Sequence, residues 1–171
     1  VMMAFRIAWF KVHEPLAFYS AYFYRRSQKG GFDAEMMCGG ADSVRRKISD
    51  FHRASSLTAN EEDLLVTLEA VYEFNMRGFQ FAPISFADSD ATRFLITEDG
   101  RIRPPFVSVA GLGETAAQDL AGSREGGQEF ISIEEIGNAC PKVSVSHLEV
   151  LKRMGAFGDL PDSSQISLFD W

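Results

Sequence analysis

The stretch VAGLGETAAQDL, residues 109–120, decides how the second half of this sequence folds. Two glycines flank one leucine, and a helical pattern begins at once. A helix start leaves about four amide donors without internal partners, and the aligned peptide dipoles gather partial positive charge there. With Leu112 turned into a core, the Gly111 and Gly113 backbones face outward, and no side chain stands between their amides and an approaching anion. Ala116, Ala117 and Leu120 give the following helix a face for close packing. Three readings of the turn compete: a plain link between core helices, an anion-gripping hairpin, and a dinucleotide loop. The last has its fingerprint in Gly111-x-Gly113-x-x-Ala116, with Glu134 about 20 residues on. It also needs a buried strand ahead of the glycines, which PPFVSV does not make, and more chain than remains after them.

Just downstream, ISIEEIGNACPKVSVSHLEVLKRMGAF (131–157) reads as helix, Gly/Pro turn and helix, with Lys142 and Ser144 where a second phosphate contact would sit. The two units resemble a tandem helix-hairpin-helix, whose amides grip DNA phosphates regardless of base sequence. That resemblance implies DNA contacts from Gly111, Leu112, Gly113, Thr115, Lys142 and Ser144. Residues 101–153 hold six basic and seven acidic side chains, so amides rather than Lys and Arg must do the holding. Few counterions would be released, and affinity of this part alone is expected on the order of 10⁻⁴–10⁻⁶ M. Two departures count. Gly122, Gly126 and Gly127 shorten the helix after the first hairpin, and with Pro141 in the second turn the sequence fixes the amide geometry there less firmly than at the first.

The totals exclude several classes. The 171 residues, 46% of them hydrophobic and 15 of them Phe, supply ample core for one medium domain or two small ones. Seventeen basic against 24 acidic residues give a net charge of −7, which argues against holding nucleic acid by raw charge. Cys38 and Cys140 lie far apart with no metal-ligand spacing. No signal peptide and no apolar run of about 18 residues is visible, so a cytoplasmic protein without membrane contact is expected. The chain opens at Val1 inside an apolar helical pattern, as a fragment of a longer polypeptide would.

Ahead of the glycine turn the pattern is helical, then briefly extended. Residues 1–27 read as two helices broken at His13-Glu14-Pro15, because Pro disfavours helix just before it and opens a new one. Phe5, Ala8 and Trp9, then Leu16, Tyr19 and Phe23, recur at helical spacing and call for burial against something larger than this chain supplies. A third helix runs from about Ala41 to Ala54, with Arg45-Arg46-Lys47 on its solvated face. A fourth starts at a capping box, Thr58 with Glu61, carries a stripe of Leu64, Leu65, Leu68, Val71, Tyr72 and Met76, and stops at Gly78. FQFAPISF, TRFLIT and RIRPPF read as short strands, the last two joined through Glu98-Asp99-Gly100. Two further capping boxes, Ser132 with Glu135 and Ser146 with Glu149, start the last helices, and Gly155 closes the final one. Asp88 and Asp90 read as turn residues rather than metal ligands, and His13, His52 and His147 as capping or packing residues.

The tail GDLPDSSQISLFDW is polar until its end, where apolar residues return. Gln165-Ile166-Ser167-Leu168-Phe169 resembles the bacterial sliding-clamp-binding motif, with Ile166 in place of its first Leu; the resemblance implies clamp binding through these residues, Gln165 hydrogen-bonding at the pocket edge and Leu168 and Phe169 filling it. Burying each of the last two is worth roughly 1.5–3 kcal/mol. In this order, MAFRIAWFKVHEPLAFYSAYF, LLVTLEAVYEFNMRGFQF, RIRPPFVSVAGLGETAAQDL and QISLF are similar to the C-terminal end of the alpha subunit of bacterial DNA polymerase III, PolC type. The resemblance spans nearly the whole chain, least closely at 28–56 and 121–145.

It implies a mainly α fold with a small β-hairpin. Residues 1–77 would be the helical end of the fingers region, 78–157 a strand-containing segment plus the tandem helix-hairpin-helix, and 158–171 a flexible tail bearing the clamp motif. Implied partners are double-stranded DNA, the sliding clamp, and the palm and remaining fingers upstream. The catalytic carboxylates and their Mg²⁺ would lie in that upstream part, so this chain alone would carry no catalytic residue, no metal and no cofactor. The alternative is a stand-alone, non-enzymatic DNA-binding adaptor that recruits the clamp.

Overall fold

Pro15 sets the first boundary. In the computed structural model, which describes residues 2–125, 127 and 129–163, α1 (Met2–His13) ends two residues before it and α2 (Pro15–Ser27) begins on it. Asp33 then caps a single turn, α3 (Ala34–Met37), by accepting the amides of Glu35 and Met36 at 2.9 and 3.3 Å. Helix α4 (Ala41–Arg53) buries Val44, while Arg45, Arg46 and Lys47 face solvent. The reciprocal capping box at Thr58 and Glu61 opens α5 (Ala59–Met76), and Gly78 follows its end at φ +87°.

The buried face of α5 is Leu64, Thr67, Leu68, Val71 and Phe74. It departs from the expected stripe at its end, because Phe74 turns inward while Met76 is 64% exposed. Phe74 is drawn in by the aromatic core, where its ring centroid lies 5.1 Å from Tyr19, 5.6 Å from Phe23 and 4.9 Å from Phe81. Phe23 is fully buried and also meets Phe94 at 6.0 Å, so α2 and α5 share one core with the segment after Gly78.

The extended segment is shorter than its pattern. Only Leu95–Ile96 (β1) and Ile102–Arg103 (β2) pair, antiparallel, across the Glu98-Asp99-Gly100 turn. FQFAPISF contributes a single parallel bridge, Phe81 with Ile102, because Pro83 has no amide with which to continue the ladder. A 3-10 turn at Phe106–Ser108 leads into α6 (Glu114–Gly122), α7 (Ile133–Ala139) and α8 (Val145–Arg153). Gly155, at φ +76°, follows α8. Among the described residues the fold is therefore mainly α with one two-stranded sheet.

Arg124 straps the two halves of this region together. Its guanidinium donates to the carbonyls of Phe86 and Ser89, the latter at 2.7 Å, and lies 5.5 Å from the Phe106 ring centroid. Helix α1 is different from the rest. It buries no residue, and Met2, Met3, Phe5, Ile7 and Val12 are each more than half exposed. Its C-terminal end is held by Lys11–Glu73 at 2.7 Å and by Arg77 donating to the Lys11 carbonyl at 2.9 Å.

Candidate nucleic-acid interface

One turn is built twice. In the first, the Leu112 amide donates to the Val109 carbonyl at 3.0 Å; in the second, Val143 donates to Cys140 at 3.0 Å. Leu112 and Val143 are both buried, and each is followed by an extended cap residue, Gly113 at φ −69°, ψ 160° and Ser144 at φ −75°, ψ 157°. The sequence VAGLGE thus superposes in register on CPKVSV. An apolar plug ties each turn to the core, and the residues on either side of the plug stay at the surface.

The two turns differ in what their amides do. Gly111 takes φ +78°, a left-handed conformation that costs an L side chain roughly 1–2 kcal/mol. The amides of Gly111, Gly113, Glu114 and Thr115 have no acceptor among the described residues, and α6 has no side-chain cap. A Cβ on Gly113 would meet nothing within 4 Å, so no neighbour crowds the cap position. In the second turn the Lys142 amide already donates to the Asp119 carboxylate at 3.2 Å, and Asp119 projects from α6. Lys142 has ordinary negative φ, since no described non-glycine residue has a positive one.

The start of α8 lies two residues ahead of the expected one. Ser144, not Ser146, is the cap: its Oγ accepts the His147 amide at 3.3 Å. The expected Ser146–Glu149 box starts two residues too late, because burial of Val143 fixes the extended residue at 144 and leaves Ser146 inside the first turn. At the other predicted box, Ser132 does accept from Glu135, but the Glu135 carboxylate reaches past it to the Ile131 amide at 2.9 Å.

Two neighbours of the turns, His147 and Asp119, make contacts that the sequence did not signal. Ser144 Oγ also lies 2.9 Å from His147 Nδ1, and His147 Nε2 stands 3.4 Å from where a Gly111 Cβ would sit. Asp119 receives the Cys140 thiol at its carbonyl, 3.7 Å away, and burial pushes that thiol up from its ordinary value. Both contacts run between the hairpins, so only superposing VAGLGE on CPKVSV would have hinted at them. Gly111 and Gly113 also border a groove of about 510 Å³ shared with Phe32, Asp33 and Asn60. There burial raises the Asp33 carboxyl pKa, outweighing the two amides it accepts.

The remaining predicted residues fall as follows. Thr115 is exposed in the first turn of α6, and Lys142 and Ser144 are exposed on the second hairpin. Gln165, Ile166, Leu168 and Phe169 lie outside the described residues. Asp88 receives Ser85 Oγ at 3.1 Å and pairs with Arg103 at 3.4 Å, while Asp90 caps Thr92 and Arg93. Among the described residues no three His, Cys, Asp or Glu side chains converge so as to hold a metal ion, and no helix is long and apolar enough to cross a membrane.

Comparison with known proteins agrees with this geometry. The profile of the helix-hairpin-helix motif family matches residues 78–165. A DNA polymerase III PolC-type of Caldanaerobacter subterraneus is 43% identical over 170 residues, covering 99% of this chain and 12% of that protein. The Staphylococcus epidermidis and Thermotoga maritima proteins of the same name are 42% and 37% identical over 171 and 169 residues, with the same coverage. The chain thus spans about an eighth of the length of the curated relatives it matches.

Proposed function

This chain belongs to the PolC-type DNA polymerase III family, with a helix-hairpin-helix region over residues 78–165, and from that premise we propose that it grips duplex DNA by its backbone for a replicative polymerase. The carrying observation is the first hairpin. Four amides, of Gly111, Gly113, Glu114 and Thr115, have no acceptor among the described residues at the positive end of α6, while the buried Leu112 side chain ties the turn to the core. A phosphate held there meets no side chain able to read a base, so binding is indifferent to sequence. The second hairpin contributes less through Lys142, whose amide is engaged by Asp119, and more through the Ser144 side and the Lys142 ammonium.

The catalytic carboxylates and Mg²⁺ of the parent polymerase lie, in this reading, in the polypeptide beyond this chain, in a cytoplasmic enzyme. That same polypeptide, the palm and remaining fingers, covers the apolar surface of α1. Gln165, Ile166, Leu168 and Phe169 tether the enzyme to the sliding clamp.

Gly113→Val tests the main claim. Its φ and its empty surroundings let valine fit, so folding survives at a cost of a few tenths to about 1 kcal/mol at the cap. Its methyls would stand where the phosphate sits, and duplex affinity measured by fluorescence anisotropy should fall at least tenfold. Unchanged affinity in a folded variant rejects the hairpin as the grip. For the tether, Leu168→Ala with Phe169→Ala should abolish clamp binding in surface plasmon resonance, and retained binding rejects it.

A further inference from the structure

We propose that a groove between α7 and α8 is the resting site of the chain's own last eight residues, so that the segment carrying Ile166, Leu168 and Phe169 docks in cis. The groove holds about 450 Å³ and is walled by Ile133, Val143, Val145 and Leu148. Val145 is 72% exposed at the first position of α8, a β-branched side chain facing water with nothing in the described residues over it. Burial of the leucine and phenylalanine against these walls would offset that exposure.

The backbone is delivered to this groove. Pro161 and Asp162 accept the amides of Ile133 and Glu134 at 2.9 and 3.0 Å, which lays residues 161–162 along the start of α7. Asp162 is itself part of the groove wall and pairs with Lys152 at 2.6 Å; Ser163 donates to Glu134 at 2.6 Å. Eight residues follow Ser163, enough to reach roughly 26 Å at 3.3 Å each, and the groove starts where they leave. Charge selects among occupants. Glu134, Glu149 and Asp162 line the groove with one lysine, a balance that repels a phosphate backbone, whereas residues 164–169 carry no charge and the segment's one charged side chain, Asp170, follows the Leu168-Phe169 pair. Docking needs nothing beyond this chain. Its consequence, that the clamp must compete with the groove for the same side chains, rests on the tether proposed above.

The experiment compares ¹⁵N amide spectra of the full chain with those of Leu168→Ala/Phe169→Ala and Val145→Glu. The glutamate sits on the first turn of α8, where a carboxylate is favoured, so that variant should fold. In the double variant the amides of Gly137, Val145, Leu148 and Lys152 should shift by more than a line width. In Val145→Glu the amides of residues 166–171 should shift likewise, and none of these changes should depend on protein concentration. Groove amides that stay in place in the folded double variant overturn the proposal. So do tail amides indifferent to Val145→Glu. Shifts that grow with concentration overturn it too, assigning the groove to a second copy's tail. A separate clamp titration keeps the two readings apart. If the groove empties yet clamp binding ignores Leu168 and Phe169, only the tether fails; with both sound, Val145→Glu should bind the clamp severalfold more tightly.

Discussion

Gly111 and Gly113 lie two residues apart and are glycines for different reasons. Gly111 stands at φ +78°, so Gly111→Ala forces a left-handed alanine and should lower stability by about 1–2 kcal/mol, read as a drop in thermal midpoint. Gly113 has an extended backbone that any residue adopts, so Gly113→Ala should move the midpoint far less. A midpoint equally sensitive to both changes would contradict this division. The pattern Gly-Leu-Gly before a helix made Leu112 legible as the plug and the glycines as the bare surface, because each role depends on local conformation. Ser144 was legible only as a contact, since Ser-x-x-Glu at 146–149 imitates a cap and the burial of Val143 that overrides it is a tertiary event. His147 and Asp119 act across the hairpins, where periodicity carries no information.

The loop of residues 85–93 shows how an element without regular structure is held. Asp90 accepts the amides of Thr92 and Arg93 at 2.9 Å each and pairs with Arg93, also at 2.9 Å. Burial pushes its carboxyl up, but the Arg93 guanidinium and the two amides outweigh it and hold the pKa below the ordinary 3.8. A lowered folded value means that the stabilisation is complete above about pH 4 and disappears as pH falls through that lower value. Asp90→Asn should therefore cost about 1–2 kcal/mol near neutrality, and the gap between its thermal midpoint and the wild type's should narrow as pH falls below the ordinary carboxylate value and close once it passes the lowered folded one. A gap independent of pH would assign the loss to shape instead of charge. Helix boundaries were plain in the sequence wherever a capping side chain or proline marks them, as at Pro15 and Thr58. The strands were overread, because alternation in FQFAPISF reflects phenylalanines entering the core more than a ladder, which Pro83 interrupts.

At the scale of the whole molecule, the aromatic cluster makes helices α2 and α5 depend on the segment that leads to the hairpins. Phe23 is 0% exposed and meets Phe32, Phe74, Phe81 and Phe94 at 5.3–6.0 Å. Phe23→Ala should cost about 3–5 kcal/mol, a large share of the 5–15 kcal/mol typical of a domain. Chemical denaturation followed by both far-UV circular dichroism and tyrosine emission should give coincident, shifted curves, and separate transitions would show that the two halves fold independently. The density of phenylalanine announced such a core, but no periodicity tells which helix faces which loop. The bare ridge of α1 has a further practical outcome. Met2, Met3, Phe5, Ile7 and Val12 form a greasy handle on an otherwise anionic particle, so the concentration at which solutions of this chain stay clear will be governed by that handle sticking to its like, well before heat disturbs the core.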